Sequence, residues 1–80
     1  MELADYRKWK GLSLKAMAEL VGMSNASAVL KQETGQTMPR PEVLEAYHRV
    51  TNGAVTAEDF VRVALRYRAQ QSQSEQSKAA

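Results

Sequence analysis

The side chains best suited to recognition chemistry stand close together: Asn25, Ser27, Ala28, Lys31 and Gln32, all between Gly22 and Gly35. An amide both donates and accepts a hydrogen bond, a hydroxyl does either, and an ammonium only donates and carries charge. Gathered on one face, they suit a partner surface that offers donors, acceptors and negative charge in a pattern. They are not a set that makes or breaks bonds. His48 is the single histidine, and it falls on the exposed side of its helix with no acid or nucleophile paired to it. Cysteine is absent, which removes thiol catalysis, thiolate metal sites and disulfides together. No phosphate-cradling glycine loop, metal-ligand cluster or carboxylate pair appears. Neither an enzyme nor a cofactor or metal is expected.

That face needs a helix to carry it. At about 100° per residue, Ala26, Val29 and Leu30 gather on one side with Glu33 among them, so these are expected inward. Ser27, Ala28, Lys31 and Gln32 fall on the other side. It is small, polar and mildly basic, where a solvated face usually mixes Glu and Lys. The helix spans 25–34, capped by Ser24 or Asn25 and closed by Gly35. Ahead of it, Ser13 starts a helix over 14–21 with Leu14, Met17, Ala18, Leu20 and Val21 at helical spacing. Gly22 supplies the reversal and Met23 an apolar plug. Ala18 is small where two sharply angled helices approach most closely.

The remaining elements read as supports. Residues 2–10 form a helix with Leu3, Tyr6 and Lys10 on one side; Trp9 is expected in the core or at its edge. Arg7 either adds long-range attraction with Lys8 and Lys10 or pairs with Glu19 inside the fold. After a loop stiffened by Pro39 and Pro41, a helix over 41–51 buries Val43, Leu44, Tyr47 and Val50. Thr56 and Asp59 make a capping-box variant for a last helix over 57–69, with Phe60, Val63, Ala64 and Tyr67 as its core stripe. Val61 and Leu65 lie on a second apolar strip, available to another copy of the chain or to the first helix of the same one. Residues 70–80 have no apolar periodicity and are expected to be a disordered tail.

Composition sets the frame. Eighty residues with 44% apolar and 6% aromatic side chains suit a small all-α fold, near the lower limit of a self-sufficient core. Net charge is only +2, with basic and acidic residues interspersed, a weak pointer to an acidic partner. No apolar run approaches the ~20 residues that span a bilayer. The start, MELADYRKWK, lacks a signal-peptide pattern, so a cytoplasmic location is expected and no membrane partner.

In order and spacing, Gly11-Leu12-Ser13, Met17-Ala18-Glu19-Leu20-Val21-Gly22-Met23-Ser24 and Glu33-Thr34-Gly35 resemble the helix-turn-helix domain of the lambda repressor and Cro type. This is also called the xenobiotic-response-element family. The likeness covers residues 3–60, including Pro39-Arg40-Pro41 and the Thr51–Thr56 turn, which are similar to loops of short phage-type regulators. Two departures stand out. Leu14 occupies a place where members usually carry a glutamine that contacts phosphate and braces the third helix. Gly22 to Gly35 also spans one residue more than the commonest pattern. We place the extra residue in the turn around Ser24–Ala26, which sets Val29 on the usual buried site.

The resemblance implies a compact five-helix domain over residues 1–69 that binds double-stranded DNA with its third helix in the major groove. It implies base contacts from Asn25, Ser27, Ala28, Lys31 and Gln32, and phosphate contacts from Ser13, Lys15, Ser24, Gln36, Thr37 and Arg40. The modest charge favours a homodimer on a pseudo-palindromic operator, with Val55, Phe60, Val61 and Leu65 as the expected contact. The function implied is a prokaryotic or phage transcriptional regulator at the nucleoid, most simply a repressor. Activation through RNA polymerase and an antitoxin-like module that also binds a partner protein are the alternatives.

Overall fold

Local signals place the helix boundaries. A computed structural model describes the backbone of residues 1–79 and the side chains of residues 1–72. It contains helices α1 (Leu3–Lys10), α2 (Leu14–Val21), α3 (Ala26–Thr34), α4 (Pro41–Val50) and α5 (Ala57–Ala79). The starts of α2 to α5 each have a local cause. The Ser13 hydroxyl accepts from the Ala16 N–H at 3.0 Å, and Asn25 Oδ1 accepts from the Ala28 N–H at 2.9 Å. Pro41 opens α4 with its φ already helical. At α5 the expected box forms: Asp59 Oδ2 accepts from the Thr56 N–H at 2.8 Å, and the Asp59 N–H reaches back to the Thr56 hydroxyl at 3.4 Å.

The ends are equally local. Gly22, at φ 78°, lets the Met23 N–H donate to the Ala18 carbonyl at 2.8 Å, and the chain turns from α2 towards α3 within a few residues. Thr51 closes α4 by donating to the Tyr47 carbonyl at 2.6 Å while accepting from the Val55 N–H at 3.0 Å. This pair satisfies backbone groups inside a turn that is otherwise buried at Thr51 and Val55. The helix of α5 continues beyond residue 69, where its end was expected. The expected tail over 70–80 lies mostly outside the residues whose side chains are described.

The core is drawn from all five helices and the turn after α4. Tyr47, Met17, Val29 and Val55 are fully buried, with Leu3, Tyr6, Ala18, Val21, Ala46 and Phe60 around them. The Tyr47 and Phe60 rings pack with centroids 4.9 Å apart. Ala18 is buried at the close approach of α2, and Phe60, Val63 and Ala64 line the inner side of α5, as their spacing predicts.

Two expectations of burial and two of a contact between copies are corrected. Trp9 is 66% exposed: it stands beside Tyr6 at an edge-to-face centroid distance of 5.8 Å, and the Lys10 ammonium lies 4.4 Å over its ring. Leu20 is exposed because Met17, Ala18 and Val21 already fill the inward arc of α2, and Leu20 lies about 60° beyond its edge. Val55 and Phe60, expected at a contact between copies, are interior residues of one chain. No second copy can reach them without opening the core.

Candidate nucleic-acid interface

Helix α3 is held on its inner side by three separate anchors. The first is a buried hydrogen bond in which the Tyr47 hydroxyl donates to Gln32 Oε1 at 2.7 Å. Burial first, and the negative charge of Glu33 second, hold the Tyr47 phenol well above its ordinary pKa, so it remains a donor at neutral pH. The second is a two-pronged ion pair from α1. Arg7 Nε donates to Glu33 Oε2 at 2.6 Å and its Nη2 to Glu33 Oε1 at 2.9 Å, while Nη1 donates to the Leu12 carbonyl at 3.0 Å. One guanidinium thus ties together α1, the loop before α2 and the last turn of α3.

The third anchor is a close approach of backbones. Gly35 ends α3 at φ 89°, and a Cβ placed there would overlap the Val63 carbonyl of α5, lying 2.6 Å from its carbon. Only glycine allows both the left-handed turn and this separation. Val29, fully buried, completes the inner side, as its helical spacing expects.

The outward face differs from the expected one. Ser27, Leu30, Lys31 and Thr34 are exposed and recur at i, i+3, i+4 and i+7, a single stripe along α3. Gln32 is only 7% exposed and is engaged by Tyr47, so the base-contact expectation for it is corrected. Ala28 is half-buried. Leu30, expected in the core, is 44% exposed. The centre of the exposed face is rotated by about 80° from the expected one, close to one residue on the helical wheel. Thr34 and Leu30 therefore join the face that Ala28 and Gln32 were expected to share.

The sequence carries a signal for this. Tyr47 sits mid-stripe in a buried helix, and a buried phenol needs a partner. Gln32 is a natural one, but nothing local says which helix supplies it.

Asn25 is exposed, and its carbonyl oxygen serves as the α3 cap, leaving its amide NH2 as the group presented. The side chains of Ser13, Lys15, Ser24, Gln36, Thr37 and Arg40 are all exposed. Among the described residues Lys15, Lys31 and Arg40 make no ion pair, whereas Arg7, Arg62 and Arg66 do. Arg7 pairs with Glu33, whereas the sequence left it either long-range attraction or a pairing with Glu19.

The first turns of α2 and α3 carry no acidic residue, while α1, α4 and α5 each carry at least one. Helix N-termini present unpaired N–H groups and positive potential. An acid placed there would satisfy that potential internally; α2 and α3 leave it available to an external anion.

On α5, Val61 and Leu65 are exposed, Val61 at 44% and Leu65 at 58%. They are bordered by the pairs Arg62–Glu58 at 2.8 Å and Arg66–Glu2 at 2.6 Å.

A profile of the helix-turn-helix domain family matches residues 1–60. The chain belongs to that family, and the α2-turn-α3 unit is where its defining geometry lies. A search of the curated proteins and a search of the solved structures each returned no match. Among the described residues no helix is long and apolar enough to cross a membrane. A DNA-binding role is the one the family supports.

Proposed function

We propose that this chain is a lambda repressor/Cro-type regulator that binds a specific double-stranded DNA sequence through the exposed stripe of α3. The observation that carries the reading is the contrast across that helix. Three anchors hold one side at a fixed angle, while on the other side Leu30 is exposed and the exposed side chains of Ser27 and Lys31 make no hydrogen bond or ion pair among the described residues. A solvated face usually mixes Glu and Lys, whereas this stripe carries no acid and has a leucine 44% exposed at its middle. In this geometry Asn25, Ser27 and Lys31 approach base edges, with Ala28 at the margin, and Lys31 suits guanine or a phosphate.

Ser13, Lys15, Ser24, Gln36, Thr37 and Arg40 are the phosphate contacts that fix register without reading sequence. The acid-free first turns of α2 and α3 support this assignment. Binding is to a pseudo-palindromic operator by a homodimer, because a net charge of +2 gives one copy little electrostatic affinity. Val61 and Leu65 form the contact. Without an effector domain in these residues, repression by occluding RNA polymerase in the cytoplasm is the simplest mechanism.

Selection of bound duplexes from a random pool, followed by footprinting, tests the reading. Two protected half-sites about 34 Å apart are expected. Equal affinity for all duplexes, with only a salt slope, would overturn it. For the contact, light scattering of Leu65→Glu is expected to give a monomer mass; an unchanged dimer mass removes Val61 and Leu65 from the interface.

A further inference from the structure

We infer that Leu30 is a specificity-determining residue, reading the C5 methyl group of thymine in the major groove with the Thr34 methyl group beside it. This deepens, and rests on, the reading of α3 as the helix that enters the groove. Leu30 is 44% exposed in the middle of the outward stripe, and the core of α3 is completed without it by Val29 and the Tyr47–Gln32 bond. Its neighbour one turn on is also apolar in what it presents. The Thr34 hydroxyl donates to the carbonyls of Leu30 at 3.0 Å and Lys31 at 3.3 Å in its own helix. With its proton so engaged the hydroxyl can only accept, and the methyl is the apolar group that Thr34 adds beside Leu30.

The major-groove edges of the bases present donors and acceptors, and among them thymine alone carries a methyl group, where cytosine has only the smaller C5–H. An isobutyl side chain pressed against any other edge would strip water from a donor or acceptor without replacing the bond, which is unfavourable. Against the methyl it removes apolar surface from water on both sides. Leu30 therefore discriminates twice, for the methyl and against the polar edges. Ser27 and Lys31, on the same stripe, supply the hydrogen bonds that a leucine cannot.

The test uses the full chain and the duplex selected from a random pool. Each thymine is replaced singly by deoxyuridine, which lacks only the methyl. One position per half-site is expected to lose about fourfold in affinity, the value of one buried methyl-sized group. Altering both half-sites should lose about fifteenfold on the same basis. Leu30→Ala is expected to cut the preference for thymine over uracil to about twofold or less, the part left to the Thr34 and alanine methyl groups, and its exposed position keeps its unfolding midpoint near that of the parent. Selective binding with a flat uracil scan, or a Leu30→Ala variant that keeps the full thymine preference, overturns this inference alone. Equal affinity for every duplex overturns the reading of α3 together with it.

Discussion

The two sides of α3 obey different rules, although its helix is only nine residues long. On the inner side every group is committed: Val29 to the core, Gln32 to Tyr47, Glu33 to Arg7, and Gly35 to the α5 backbone. On the outer side Ser27, Leu30 and Lys31 are exposed, and Thr34 bonds only to its own helix. On the proposed reading, position and recognition are thereby separated within one element. Changes to the inner side should act on stability and, through the tilt of the helix, on every DNA sequence equally. Changes to the outer side should act on recognition and leave stability almost unchanged.

The sharpest way to break this division is Gly35→Ala. A Cβ would enter the Val63 carbonyl group, and the φ of 89° is strained for any other residue. Chemical denaturation is expected to show a loss of about 3 kcal/mol, combining backbone strain with a clash that neither helix can relieve by rotating a side chain. A loss below about 0.5 kcal/mol, typical of an open surface site, would mean that α3 and α5 are not in contact there.

Next in size is Arg7→Ala. It leaves Glu33, only 9% exposed, as a charge without its counter-ion. We expect a cost of about 2–3 kcal/mol, towards the lower end for a broken buried pair because Arg7 itself is 18% exposed. Adding Glu33→Gln should recover part of this loss. If the double variant is less stable than the sum of the two singles, the pair is not the connection between α1 and α3 described above.

These two anchors also separate what is legible in the amino-acid sequence from what is not. Helix ends are legible because their causes lie within a few residues: Ser13 three before Ala16, Gly22 after Val21, Pro41 at the start of α4, and Thr56 with Asp59. The facing of α3 is only partly legible. Val29 can be placed inward by its type, but Gln32 and Leu30 exchange roles because Tyr47, fifteen residues on from Gln32, offers a buried hydroxyl. A polar side chain can be the better core residue when its hydrogen bond is supplied. The Arg7–Glu33 pair joins residues 26 apart and has no local signature; by charge alone Glu19 is an equally suitable partner. Val55 and Phe60 depart from expectation for the opposite reason. Apolar type says that a residue is covered, without saying whether its own chain or another copy covers it.

A smaller effect is expected at α5, which backs α3 through Val63. Asp59 is partly penalised by burial, but the Thr56 N–H, the α-amino group of Met1 and the Thr56 hydroxyl outweigh this and hold its pKa below the ordinary value. The folded pKa therefore lies below the unfolded one. Its contribution is present above about pH 4 and is lost as pH falls through the folded value. Unfolding followed from pH 6 downward should show stability declining below about pH 4, with a shallower decline in Asp59→Asn. Equal slopes in the two proteins would remove Asp59 as the cause.

The central claim, that α3 recognises with one side and is merely held by the other, is tested most directly by one variant measured in two ways. Lys31→Ala removes an exposed ammonium that makes no ion pair among the described residues. Its unfolding free energy is expected to stay within about 0.5 kcal/mol of the parent. Its affinity for the selected duplex should fall about tenfold, as expected for a direct base contact, or the salt slope should drop by about one, as expected for a phosphate contact. Unchanged affinity and salt slope in a stably folded Lys31→Ala would contradict the account.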